Sequence, residues 1–127
     1  MPLSPSHISQ IGIHVRDLER ARRFYGESLG LAHLFDAPPG LSFYQCGQTR
    51  LMLSRVEAPA TAEYGTILYY AVPDARAAQE ALAATGAPFE EDARCIARVG
   101  DKDIWLAVTT DGEGNHVGLM SEQAVEG

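Results

Sequence analysis

The stretch Ile11-Gly-Ile-His-Val-Arg-Asp-Leu-Glu-Arg-Ala-Arg-Arg-Phe-Tyr25, closed by Gly30, decides the fold because its plan is written twice. Ile11 to Val15 reads as a strand, Leu18 to Leu29 as a helix, and Asp17 stands between them. Further on, Ile67-Leu-Tyr-Tyr-Ala-Val72 reads as a strand, Pro73-Asp74 follows, and Ala75 to Thr85 reads as a helix ending at Gly86. Asp17 and Asp74 suit the orphan N–H groups and positive dipole end of a first helical turn. Gly30 and Gly86 suit the left-handed residue that closes a helix. Leu18, Ala21, Tyr25 and Leu29, and then Ala75, Ala78 and Leu82, recur at near-helical spacing.

After each glycine the chain reads as short strands. In the first half these are Leu31 to Phe35, Leu41 to Cys46 and Arg50 to Ser54, separated by turns at Pro38-Pro-Gly40 and Gly47-Gln48. In the second half they are Phe89 to Glu91 leading into Cys95 to Val99, then Ile104 to Val108, then His116 to Met120. Gly100-Asp-Lys-Asp103 and Asp111-Gly-Glu-Gly-Asn115 supply the turns. The pattern is an α+β chain with βαβββ written twice. Module one covers about 8–56, an Ala-rich linker about 57–64, and module two about 65–122, in a single domain over 1–127. The ends, Met1 to Ser6 and Glu122 to Gly127, are expected to be disordered.

Composition excludes several functions. The 10 basic residues are outnumbered by 17 acidic ones, and the one basic cluster, Arg20, Arg22 and Arg23, sits among Asp17, Glu19 and Glu27. That is a solvated helix face and not a nucleic-acid surface, which needs clustered cations. No apolar run approaches a membrane span, and the N-terminus lacks a signal pattern. Cys46 and Cys95 form no C-x-x-C pair and read as small buried residues, so a reduced cytoplasmic setting is expected.

Three segments carry a family resemblance: Val15-Arg-Asp-Leu-Glu-Arg-Ala-Arg-Arg-Phe-Tyr25, then Leu29-Gly-Leu31, then Asp111-Gly-Glu-Gly-Asn-His-Val-Gly-Leu119. In order and spacing they resemble the vicinal oxygen chelate superfamily of glyoxalases, bleomycin-resistance proteins and extradiol dioxygenases, over residues 8 to 122. Gly112 stands where that superfamily's turn usually has Pro. The resemblance implies two modules forming a curved mixed sheet that encloses a cup, with the helices outside, and a homodimer. It also places the superfamily's metal-ligand positions on Gln10, Met52, Ile67 and Gly118. A thioether, an alkyl chain and a hydrogen atom cannot hold zinc, iron or a hard divalent ion, and one neutral amide does not suffice. No metal and no cofactor is therefore expected.

Strand alternation then assigns the cup lining. Gln10, Gly12 and His14 face it, with Arg50, Met52 and Ser54, then Ile67, Tyr69 and Ala71, then His116, Gly118 and Met120. Gly12 and Gly118 would leave open volume there. Apolar walls with a few polar groups suit a small-molecule ligand. His14 and His116 are candidate acid–base groups, and Tyr69 a candidate hydrogen-bond donor to a substrate carbonyl. Arg50 can pair with a carboxylate or stay solvated. The pattern does not set the facing of Tyr44 or Trp105. Three functions remain open: a metal-independent lyase or isomerase, a non-catalytic protein that sequesters an antibiotic-like molecule, and a subunit with a vestigial cup.

Overall fold

The computed structural model describes residues 3–57 and 67–125. Most of the expected linker, and with it any structure at 58–66, lies outside the described residues. The chain divides into two compact units, Met1–Ala60 and Thr61–Gly127.

In the first unit, strand β1 (Gln10–Val15) leads to helix α1 (Leu18–Arg22), then β2 (Ala32–Ala37), β3 (Leu41–Cys46) and β4 (Thr49–Arg55). The sheet order is β1-β4-β3-β2; β1 and β4 run parallel and the other pairs antiparallel. The second unit has β5 (Leu68–Ala71), helix α2 (Ala75–Ala83), β6 (Phe89–Val99), β7 (Lys102–Thr110) and β8 (His116–Ala124) in the order β5-β8-β7-β6. It repeats the mixed pairing, with β5 and β8 parallel. The doubled βαβββ plan is thus the observed architecture.

Local chemistry places the helices. Asp17 accepts a bond from the Arg20 amide at 3.0 Å, and this bond holds its carboxyl below the ordinary range. Asp74 accepts from the Arg76 and Ala77 amides. Gly30 and Gly86 close the helical stretches at φ +84° and +97°. The first helix departs from the expected regular winding. Arg23–Ser28 is a π-helical segment, in which the Leu29 amide reaches back five residues to the Phe24 carbonyl at 2.7 Å. The wider turn lets neighbours Phe24 and Tyr25 both point inward, where they meet edge to face at 5.0 Å.

Each helix covers one face of its own sheet. In the first unit Ile13, Val15, Ala21, Phe24, Tyr25, Leu51 and Leu53 form that layer. Tyr44 joins it, its ring 3.2 Å from where a Cβ on Gly26 would lie. In the second unit Tyr70, Ala75, Leu82, Ala107, Val117 and Leu119 are buried on the helix side, and Ser121 Oγ accepts from the Ala75 amide at 3.0 Å. Trp105 lies under the Arg76 guanidinium, 4.2 Å from the ring centroid, and so also belongs to this side.

Three expectations are corrected. β8 runs on to Ala124, because its residues past Met120 continue to pair with β7 as far as Lys102. β6 is one strand from Phe89 to Val99, its polar middle accommodated by register shifts against β7. Cys95 is exposed and Cys46 only half-buried, so neither is a core residue; both are free thiols.

Candidate functional site

The helix-free face of the first sheet is built by residues in register across four strands. Gln10 pairs with Arg50, Gly12 with Met52 and His14 with Ser54 between β1 and β4. Met52 in turn faces Phe43 on β3, and Phe43 faces Phe35 on β2. These side chains touch. Arg50 donates from Nε to Gln10 Oε1 at 2.7 Å, and its guanidinium carbon sits 5.5 Å above the Phe43 ring. Phe35 stacks on Phe43 with ring centroids 4.4 Å apart. Gln10 also points its Nε2 at the Met52 sulfur, at 3.8 Å. Phe35 and Phe43 are the lining residues that sequence reasoning missed. Their signal was available, since Phe43 lies two residues along β3 from Leu41 and from Gln45, which pair with Ser54 and Arg50.

The second sheet's helix-free face carries Tyr69 and Ala71 on β5 opposite Gly118 and Met120 on β8, with Val108 and Leu106 beyond them on β7. Ile67 lies just before β5 and outside the ladder. His116 Nδ1 is 2.9 Å from Glu90 Oε1, so a carboxylate orients its ring. Within the units, the structure brings Gln10, Arg50 and Met52 together, and Tyr69 with Gly118. His14 and His116 belong to different units.

The expected open volume at the two glycines is not there. A Cβ on Gly12 would meet the Met52 methyl at 3.6 Å, so Met52 covers that position. A Cβ on Gly118 would lie 2.3 Å from Tyr69 Cδ1, so the tyrosine ring occupies the space a side chain would need. Gly118→Ala should therefore displace Tyr69 at a cost of about 1 kcal/mol, the low end for overpacking because the ring is half-exposed. Urea unfolding of a double-mutant cycle checks this: the cost should disappear in a Tyr69→Ala background. An equal cost in both backgrounds would rule out the contact as its cause.

A sequence model of the Glyoxalase/Bleomycin resistance protein/Dioxygenase superfamily matches residues 7–115. The chain belongs to this superfamily. Solved structures of similar fold include a lactoylglutathione lyase from Agrobacterium tumefaciens, 21% identical, with TM-score 0.72 over 92% of this chain and 94% of that one. An antibiotic binding protein from Streptomyces sp. CB03234 is 22% identical, with TM-score 0.71 over 96% of this chain and all 100% of that one. A glyoxalase-related enzyme from Fulvimarina pelagi is 23% identical, with TM-score 0.75 over 92% and 88% of the two chains. No curated protein matches the sequence.

The superfamily's metal positions do not fit a metal here. Gln10 is committed to Arg50, Met52 offers a thioether, Ile67 stands outside the ladder, and Tyr69 covers Gly118. Among the described residues no group of three His, Cys, Asp or Glu side chains is placed to hold an ion. Among them, too, no helix is long and apolar enough to cross a membrane.

Proposed function

We propose that this superfamily member binds a small organic molecule on the helix-free faces of its sheets and does so without a metal. The observation that carries the reading is the first sheet's lining. Stacked aromatic rings, a thioether and a positioned amide–guanidinium pair share one face, the mixture typical of small-molecule sites. The antibiotic binding protein of similar fold is a precedent for small-molecule binding.

Gln10, Gly12, Arg50, Met52 and Ser54 are assigned to ligand binding on the first sheet's face, and Ile67 and Gly118 on the second's, Gly12 and Gly118 through the residues that cover them. Native mass spectrometry and elemental analysis of the purified protein test this. The expected result is binding of panel compounds at one per chain with no stoichiometric metal. Stoichiometric zinc, nickel, iron or manganese would overturn the metal-free claim. A cytoplasmic homodimer completes the proposal; light scattering that gives a monomer mass would remove the dimer.

A second reading rests on His116. With Glu90 at Nδ1, the ring presents Nε2 for proton transfer, the arrangement of a general acid–base. On this reading Tyr69, on the same sheet face, assists, His14 is the corresponding group on the first sheet's face, and the chain is a metal-independent lyase or isomerase. Turnover of a bound compound that falls about 100-fold in His116→Gln supports catalysis. Stoichiometric binding with no product supports sequestration.

A further inference from the structure

Arg50 is held differently from the salt-bridged arginines of this acidic chain. Arg22, Arg76, Arg94 and Arg98 each pair with a carboxylate on Glu19 and Asp36, Asp74, Glu91 and Asp103, respectively. Arg50 does not, among the described residues. Its Nε is taken by a neutral amide, Gln10, and its guanidinium carbon lies 5.5 Å over the Phe43 ring. Both contacts orient the guanidinium and neither neutralises it. A guanidinium presents donors in a rigid fork, and with Nε engaged the two terminal nitrogens remain as a pair. Two parallel N–H donors match the two oxygens of a carboxylate.

The surroundings define the rest of the ligand. Phe35 is exposed and lies flat on the buried Phe43, so the outer face of its own ring is the aromatic floor on this side of the sheet. Met52 adds a polarisable side chain at the other border. A flat apolar body next to an anion would cover that floor while its charge met Arg50.

We propose that Arg50 is an anion anchor, and that the ligand of the first sheet's face is a planar aromatic carboxylate. Gln10 is its positioning residue: it acts on the ligand only by fixing the guanidinium. This assignment rests on the small-molecule reading above and narrows it to one chemical class. In a protein with a formal charge of −7, a fixed unpaired cation also steers anions locally against an unfavourable overall field.

The test is calorimetric titration of the full chain with 2-naphthoate and its neutral analogue 2-naphthamide. Naphthoate should bind at least tenfold more tightly than the amide. Arg50→Gln should remove that preference, leaving acid and amide equal. Arg50→Lys, which keeps the charge and loses the fork, should weaken naphthoate about tenfold. Gln10→Ala should weaken naphthoate several-fold more than it weakens the amide. Arg50 is exposed, and unchanged thermal midpoints of its variants will show that they remain folded.

Equal affinity of acid and amide for the wild-type protein would overturn the proposal, as would an Arg50→Gln variant that keeps the preference. Failure of both probes to bind would overturn it too. A panel of neutral and cationic aromatics separates the two levels of failure. Binding of these, unaffected by Arg50→Gln, sinks the anion anchor and leaves the small-molecule reading standing. No binding across the whole panel sinks both.

Discussion

Asp111→Ala should lower the unfolding free energy by about 3 kcal/mol, because one buried carboxylate organises the whole turn between β7 and β8. Asp111 is 2% exposed. Its Oδ1 accepts from the Glu113 amide at 2.7 Å and from the Asn115 amide at 3.2 Å, and its Oδ2 accepts from Asn115 Nδ2 at 2.8 Å. Its own amide donates to the Asn115 carbonyl at 3.1 Å. Truncation strands three donors at once, and a stranded buried donor costs more than an average hydrogen bond contributes. The loop has room to relax, which keeps the total below the sum of three such penalties. Asp111→Asn keeps one acceptor oxygen and should recover about half of the loss. Urea denaturation of the two variants measures this; a loss under about 1 kcal/mol for the alanine variant would show that the turn holds itself. The same turn explains the departure from the superfamily's proline. Gly112 sits at φ +79°, which a proline ring cannot adopt.

Leu119→Ala should cost about 3 kcal/mol as well, by a different route. Leu119 is fully buried on central strand β8, flanked by Tyr70 on β5 and Ala107 on β7. Removing a core leucine loses its transfer free energy and leaves a cavity that a hydrogen-bonded sheet cannot easily collapse. A small domain has only about 5 to 15 kcal/mol of stability in total, so the variant should unfold at visibly lower denaturant. Leu34→Ala on edge strand β2, where the leucine is 43% exposed, is the control and should shift stability by less than about 0.5 kcal/mol. Similar shifts for the two leucines would mean that the helix-side layer is loosely packed.

What could be read from the residues was short-range. Asp17 and Asp74 cap helices because a carboxylate one position before a helix has few better partners than the free amides. The apolar alternation of Ile13 and Val15 against Gly12 and His14 sets two faces by geometry alone. The rest depends on neighbours distant in the chain. The π turn at Arg23–Ser28 places both Phe24 and Tyr25 inward, and helical periodicity has no term for it. The facing of Tyr44 and Trp105 depends on β3 and β7 register, fixed by β4 and β8. For the candidate site, the residues of β1, β4 and β8 followed from alternation. Filling of the Gly12 and Gly118 gaps by Met52 and Tyr69 did not, because a side chain's reach is not encoded by its own position.

Strand β6 has a consequence for the protein at high concentration. It is a sheet edge eleven residues long, paired among the described residues with β7 alone, with Ile96 and Val99 exposed along it. Such a border is a template for strand addition by other chains and for fibril growth. Here the register shifts against β7 break its straight line, and Glu90, Glu91, Asp92, Arg94 and Arg98 load it with charge. Irregularity and charge together thus make the strand a poor template for self-assembly into aggregates.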